Sequence, residues 1–226
     1  MRVLKSSLVL SASDLSRFLG CRHRTGLDLA VALGELRPPT RVDPLMQALR
    51  ERGLEHEQHY TEDLRAQGLQ TLDLTDHEGL TGVEPTVEAM RRGVPVILQG
   101  SLRKGSWFGR PDVLKRVEVP SAFGAWSYEV VDTKLALETR GGTVMQLVLY
   151  CQLLGETQGR APKRFHVVTP DPKSPIQTFR LDEFAAYFRL IQAFFLQCLA
   201  VMRYKRFEIA VKRDQSKEPP PVPPAS

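Results

Sequence analysis

Residues 128–134 read YEVVDTK, and this stretch decides how the rest of the chain is interpreted. Val130 and Val131 are good strand formers, and side chains two residues apart on a strand point to the same face. Asp132 and Lys134 should therefore lie side by side on a strand that otherwise looks buried. Such a pair either forms a structural ion pair or acts on a bound molecule, and the short pattern alone favours the ion pair.

The composition is that of a folded protein with a basic balance. The chain has 226 residues, of which 42% are hydrophobic and 25% charged, and it is long enough to bury a full core. The formal net charge of +5 suits a polyanionic partner without identifying one. Three widely separated cysteines indicate a reducing compartment. Without a signal peptide or a run of about 18 apolar residues, we expect a cytoplasmic protein with no membrane span.

Periodicity predicts helices followed by a strand-rich segment. Ser11 and Asp14 have the spacing of a capping box at the start of a first helix. A second helix should run from Pro44 to about Gln67. The β-branched and aromatic residues over 94–136 predict three consecutive strands joined by hairpin-type turns.

The C-terminal part should return to helical structure. A helix over 139–156 and a strand over 163–172 precede a long apolar helix over 181–204, and the proline-rich residues 213–226 should form a disordered tail or linker. This order of elements predicts an α/β or α+β domain with a mixed central sheet flanked by helices, and we take the α/β class as the expectation. The aromatic residues of the long helix are expected in the core: Phe184, Tyr187, Phe188, Phe194 and Phe195.

Further polar residues could join the carboxylate of YEVVDTK. Asp112 begins the preceding strand, and a hairpin would place it beside that carboxylate. His56 lies on the second long helix three residues after Gly53, a glycine that would let another backbone approach closely. On the helix that follows the strands, one face carries Gln146 and Tyr150.

Four motifs in this order, GLEH, GRPD, DTK and QLVLY, resemble the RecB-like branch of the PD-(D/E)XK nuclease superfamily. The opening residues 11–29 are also similar to that branch. The resemblance implies a restriction-endonuclease-like fold with a mixed central β-sheet flanked by helices. It further implies a single nuclease domain over 1–212, with a helical part over about 11–92 and a catalytic core over about 93–205.

The resemblance also implies a metal-dependent DNA nuclease with assigned residues. Asp112 and Asp132 would be catalytic and would bind Mg²⁺ or Mn²⁺, which prefer such oxygen ligands. His56 and the Thr133 carbonyl would be further metal ligands, and Lys134 a catalytic base or water-orienting group. DNA, single-stranded or at duplex ends, would be the partner, with a helicase in trans suggested by the fusions common in the branch. The expected substrate contacts are Gln146, Tyr150 and Arg110.

Some members of this branch bind a 4Fe–4S cluster through one N-terminal and three C-terminal cysteines. Cys21 matches the first position, but no cysteine follows Cys198, so this chain has no complete ligand set. We therefore expect Cys21 to be a buried small hydrophobe.

Two alternatives to a nuclease stay open at this point. The chain could be a catalytically inactive nucleic-acid-binding module of the same fold. It could also be a protein unrelated to nucleic acids, in which these polar residues form a structural buried network.

Glu129 is expected to be structural, since it lies three residues from Asp132 and therefore on the opposite strand face.

Overall fold

The computed structural model describes residues 1–4, 7–38, 43–77 and 79–215. Within these residues the helices are α1 (Ala12–Gly20), α2 (Arg22–Ala32), α3 (Pro44–Ala66), α4 (Val83–Arg91), α5 (Gly141–Gln158) and α6 (Asp182–Gln215). The strands are β1 (Arg2–Leu4), β2 (Ser7–Ser11), β3 (Thr71–Asp73), β4 (Val96–Leu98), β5 (Leu102–Lys104), β6 (Trp107–Gly109), β7 (Val113–Val117), β8 (Ser127–Thr133), β9 (Arg164–Val168) and β10 (Ile176–Arg180).

A mixed six-stranded sheet lies at the centre of the fold, in the order β10-β9-β8-β7-β4-β3. Strand β8 pairs antiparallel with β7 and parallel with β9, and β3 pairs parallel with β4. The predicted α/β class with a mixed sheet is confirmed.

The prediction of three strands over 94–136 is wrong, because this segment forms five strands, β4 to β8. Three of them are only three residues long, and β5 and β6 belong to a second sheet of order β1-β2-β6-β5. Gly105, with a φ of 55°, permits the tight turn between β5 and β6. Strand β10 is not predicted either, because the prolines that follow β9 indicate where a strand ends but not where the next one begins.

The alternation of side chains along β8 divides the core into two layers. Tyr128 and Val130 point toward α5 and belong to the larger apolar cluster. Val131 points to the other face, where it packs in a smaller cluster with Tyr60 and Leu64 of α3. Helices therefore cover both faces of the central sheet.

The predicted helix starts are confirmed. Asp14 Oδ2 accepts hydrogen bonds from the Ser11 backbone N–H and hydroxyl, both at 2.8 Å. At the start of α3, Asp43 Oδ1 accepts from the Leu45 N–H at 3.0 Å. These bonds satisfy donors that a helix N-terminus otherwise leaves free.

Helix α6 confirms the predicted long apolar helix but differs from it in two respects. Phe188 and Phe195 are buried as expected, whereas Tyr187 and Phe194 are exposed. Residues 213–215 are helical rather than part of a disordered tail, and 216–226 lie outside the described residues. Residues 182–206 of this helix are long and apolar enough to cross a membrane, a test that the core helix of a soluble protein also passes, so the expected absence of a membrane span stays a prediction.

The two glycines of the GLEH and GRPD motifs have different surroundings. A Cβ atom added to Gly109 would lie 2.6 Å from Cδ1 of Tyr150, so this glycine is required for the close approach of α5 to the end of β6. A Cβ atom on Gly53 would meet no atom within 4 Å. The expectation that Gly53 permits a close backbone approach is therefore wrong.

We predict that Gly109→Ala lowers the free energy of unfolding by about 1–3 kcal/mol, because the buried Tyr150 ring cannot move away. Gly53→Ala is the matched control, and it should raise stability by up to about 1 kcal/mol, because alanine favours a helix. Urea unfolding of both variants measures the difference. Equal stability of wild type and Gly109→Ala would contradict the proposed packing.

Candidate functional site

The site is built on the adjoining ends of β7 and β8. Their antiparallel register pairs Val113 with Val131, which places Asp112 beside Asp132 as predicted. Asp112 Oδ2 accepts hydrogen bonds from the Thr133 backbone N–H at 2.7 Å and from its hydroxyl at 2.9 Å. Asp112 is thus tied to the strand that carries the second carboxylate.

Asp132 is completely buried, and its two carboxylate oxygens differ in their contacts. Oδ2 accepts a hydrogen bond from the Lys134 ammonium, whereas Oδ1 has no hydrogen-bond partner. Buried polar atoms in folded proteins nearly always have a partner, and an ionised oxygen has the strongest need of one. The free Oδ1 is therefore the most unusual atom of the site.

Lys134 lies on the same side of the strand as Asp132, as the alternation predicts. Its Nζ also donates to the Thr133 carbonyl at 3.0 Å. Its backbone N–H donates to the Val168 carbonyl at the end of β9, at 2.9 Å. The backbone hydrogen bond thus fixes the position of the Lys134 main chain, and the two acceptors fix the position of its Nζ atom.

The protonation states follow from burial and from the like charges. Burial, together with the charge of Asp112, raises the pKa of Asp132 to about 8. Burial alone would lower the pKa of Lys134, but the Asp132 and Asp112 carboxylates outweigh it and raise that pKa. Lys134 therefore holds its proton more tightly than a free lysine and is placed to donate hydrogen bonds and positive charge, and its role as a catalytic base stays a prediction.

Glu57 of α3 is a third carboxylate at the site, and the sequence analysis did not identify it. Burial, and then the charge of Asp112, raises the pKa of Glu57, while Lys134 lowers it. One signal could have found Glu57. It precedes Tyr60, Thr61 and Leu64 by three, four and seven residues, so a charged residue occupies the buried face of an amphipathic helix.

Gln99, directly after β4, contacts three parts of the site. Its side-chain amide donates to Glu57 Oε1, and its backbone N–H donates to the Asp112 carbonyl at 2.8 Å. Its own carbonyl accepts from Arg110 Nε at 3.3 Å. Gln99 is the one non-glycine residue with a positive φ, 53°, in the described part of the chain. That conformation costs on the order of 1 kcal/mol.

A groove of about 810 Å³ opens beside Glu57, and we name it the α3 groove. Its volume is within the usual range of ligand-binding clefts. It provides a route from solvent to Glu57 and to the end of β4. The lining includes Glu57, Gln58, Arg65, Asp73, Gln99 and Arg110.

Of the predicted substrate contacts, Gln146 and Tyr150 hydrogen bond to each other, and Arg110 lines the α3 groove. Tyr150 is buried, and its hydroxyl accepts a hydrogen bond from Gln146 Nε2 at 3.0 Å. Burial and the nearby Asp132 charge raise the pKa of this phenol. Arg110 lines the α3 groove but also donates through Nη2 to the Thr75 carbonyl at 3.0 Å. Direct contact of these residues with a substrate stays a prediction.

His56 lies near the same strand ends, but its ring faces backbone. Its Nε2 lies 3.3 Å from the Val168 carbonyl, the acceptor that also binds the Lys134 N–H. Metal ligation by His56 therefore stays a prediction.

Two further expectations concern Glu129 and Cys21. Glu129 bonds to His166 Nε2 at 3.0 Å, in line with its expected structural role. Cys21 is exposed, so the expectation that it is a buried hydrophobe is wrong.

Asp112 and Asp132 supply oxygen atoms of the kind that a hard divalent cation prefers, but within the described residues no group of three or more His, Cys, Asp or Glu side chains is arranged to hold a metal ion. The fit rests on the buried Asp132 Oδ1 without a partner and on the raised pKa of Asp132. Both indicate negative charge that Lys134 alone does not compensate. Oxygen ligands of this kind suit Mg²⁺ or Mn²⁺.

We predict that the metal-free protein loses stability as the pH rises from 5 to 9. The pKa of Asp132 is about 8 in the fold against 3.8 ordinarily, so the folded state binds this proton more tightly. The resulting stabilisation is complete below the lower value and is lost as the pH rises through the higher one. Glu57 acts in the same direction. Asp132→Asn should flatten the dependence of Tm on pH, and an unchanged slope would contradict the assignment.

Comparison with known proteins adds no assignment to this geometry. No protein-family model matches the chain, and no curated protein matches it. The resemblance carried by the four motifs therefore stays a prediction, and the case for a function depends on the contacts of the site.

Proposed function

We propose that this chain is a metal-dependent deoxyribonuclease with a restriction-endonuclease-like fold, of the RecB-like type. The observation that carries the proposal is the buried Asp132 Oδ1 without a hydrogen-bond partner, beside a second carboxylate and a lysine. A cation with oxygen ligands is the group that would complete this arrangement.

A purely structural network is less consistent with the same contacts. Structural buried networks are stabilising when every member has a partner, because each unsatisfied polar atom carries its full desolvation cost. Asp132 retains one oxygen without a partner, and its neighbour Asp112 carries a like charge. This combination weakens the fold unless a ligand supplies positive charge, as expected for a binding site.

Each residue has a role that follows from its contacts. Asp112 and Asp132 would hold the cation, which when bound would polarise a phosphodiester and make water a better nucleophile at neutral pH. Lys134, which keeps its proton beside these carboxylates, orients water by donating hydrogen bonds and offsets charge that develops on the phosphoryl oxygens. Tyr150 is buried near both aspartates, whose charges act on its phenol.

Charge supports nucleic acid as the substrate class. The chain has a formal net charge of +5, which favours encounter with a polyanion. The α3 groove carries Arg65 and Arg110 and reaches Glu57. A phosphodiester near these arginines could approach the carboxylates once a cation neutralises them. DNA, as a single strand or a duplex end, is the proposed substrate.

The test is cleavage of end-labelled single- and double-stranded DNA with Mg²⁺ or Mn²⁺. Wild type should cleave, and Asp132→Asn and Lys134→Ala should each lower the rate by about 100-fold or more. The matched control is Glu129→Gln, which changes a carboxylate on the same strand but on the opposite face, bonded to His166. This control should retain the wild-type rate. Thermal melts verify that each variant is folded.

Other outcomes distinguish the alternatives. A wild-type protein that binds DNA but leaves it intact with every metal tried would indicate an inactive binding module. A protein that neither binds DNA nor gains stability with metal would indicate a structural network. Equal loss of activity in Glu129→Gln and Asp132→Asn would contradict the location of the site.

We further predict that Glu57→Gln weakens Mn²⁺ binding by about tenfold, since it removes one negative charge while keeping the side-chain shape. The matched control is Glu62→Gln, on the same helix and in the same α3 groove, which should bind Mn²⁺ as wild type does. Calorimetric titration measures both affinities. Unchanged binding by Glu57→Gln would remove Glu57 from the site.

A further inference from the structure

Helix α6 carries a stripe of large side chains that the rest of the described chain leaves uncovered. Only 17% of the most apolar 18-residue stretch of this helix is buried. The α6 stripe, as we name it, consists of six exposed residues: Tyr187, Leu190, Phe194, Gln197, Val201 and Tyr204. Phe194 is partly covered by the Arg22 guanidinium, 4.7 Å from the centre of its ring. A continuous and largely apolar stripe of this length indicates an interaction surface.

The spacing of the α6 stripe is that of a seam between two helices. Its members are separated by three and four residues in strict alternation, as are positions a and d of a heptad repeat. A membrane surface requires an apolar face but no such alternation. Beside the stripe, every seventh residue is an exposed alanine: Ala186, Ala193 and Ala200. These small side chains allow a second helix to approach closely.

The opposite face of α6 belongs to the core of this domain. Phe188, Phe195 and Leu199 are buried there. The Phe195 ring packs edge-on against Phe18 of α1, at 5.3 Å between ring centres, and lies 5.8 Å from Trp107 of β6. A helix that crossed a membrane would lose these contacts, whereas a helix docked on the α6 stripe leaves them intact. The packing of α6 therefore favours a partner helix over a membrane span.

The α6 stripe is complementary to itself in the antiparallel direction. When two copies are paired about the midpoint of the stripe, its residues lie level in three kinds of pair: Tyr187 with Tyr204, Leu190 with Val201, and Phe194 with Gln197. Each pair joins an a position of one copy to a d position of the other. Every member of the stripe thus meets another member, and a two-fold axis repeats each pair, as in most soluble homodimers.

The charges at the two ends of the stripe also favour this direction. The first turn of α6 carries Asp182 and Glu183, and it stays net negative although Arg180 bonds to Asp182. The far end of the stripe carries the exposed Arg203 and Lys205. An antiparallel pair brings the acidic end of each helix near the basic end of the other, whereas a parallel pair brings like charges together.

We infer that the α6 stripe is the interface of a homodimer, in which α6 packs antiparallel against α6 of a second copy of this chain. The stripe contains none of the residues of the proposed nuclease site, so the inference does not depend on that function. The interface is small, and we expect a dissociation constant on the order of 10 µM.

The test is sedimentation equilibrium of the full chain at about 1 to 200 µM. Wild type should form a reversible dimer. Leu190→Glu should weaken dimerisation by about 100-fold or more, because it places an unpaired charge in the interface from each copy. The matched control is Leu45→Glu on α3, a leucine of similar exposure, 66% against 62% for Leu190, which should dimerise as wild type does. Thermal melts verify that each variant is folded.

Disulfide cross-linking under mild oxidation tests the direction of the helices. The background carries Cys21→Ala and Cys198→Ala, which removes the two cysteines that are not buried. A mixture of Leu190→Cys and Val201→Cys should form a linked dimer that contains one chain of each variant. Neither variant alone should cross-link. A linked dimer of Leu190→Cys with itself would overturn the antiparallel arrangement.

Two results would overturn the homodimer itself. One is a wild-type protein that stays monomeric over the whole concentration range, and the other is unchanged dimerisation of Leu190→Glu. Vesicles of phosphatidylcholine and phosphatidylserine then identify the alternative. If a monomeric wild type sediments with these vesicles and Leu190→Glu does not, the α6 stripe is a membrane-docking surface. Both results leave the nuclease proposal standing.

Discussion

The candidate site depends on the burial of one carboxylate, that of Asp132, at the end of a central strand. Ionised groups are costly to bury without compensation. Lys134 compensates Asp132 in part, but one oxygen has no partner and the neighbouring Asp112 adds a like charge. The raised pKa of Asp132 is the direct consequence. The end of β8 is thus an arrangement that favours an added positive charge, whether a proton or a metal ion.

The alternation of β8 explains how a buried charge and a continuous core can coexist. Tyr128 and Val130 fill the layer beneath α5, and Asp132 is the next residue on that face. Val131 lies on the opposite face against α3. The strand therefore contributes to both apolar layers, and the polar residues of the site, Asp132 and Thr133, follow at its C-terminal end, beside the start of β7 and the end of β9. The charged residues lie at the edge of the core rather than within it.

The part of the site that sequence could predict is the part made by local geometry. The period of two along a strand and a hairpin to its neighbour were enough to bring together Asp112, Asp132 and Lys134. Glu57 and Gln99 could not be paired in this way, since they meet through packing of α3 across the sheet. The positive φ of Gln99 has no sequence signal either, because glutamine does not favour that region. The sequence pattern does not resolve β4, β5 and β6 as separate strands, because a strand of three residues gives little periodicity.

The local charge of the site is opposite to that of the whole chain, and this difference constrains how a phosphate could reach it. The chain has a net charge of +5, so its long-range field attracts a polyanion. At short range three carboxyl groups lie around the one ammonium of Lys134, and where they are ionised they repel the same polyanion. A divalent cation reverses the local sign and removes this conflict. Nucleic acid and metal should therefore bind cooperatively, because each lowers the electrostatic cost of binding the other.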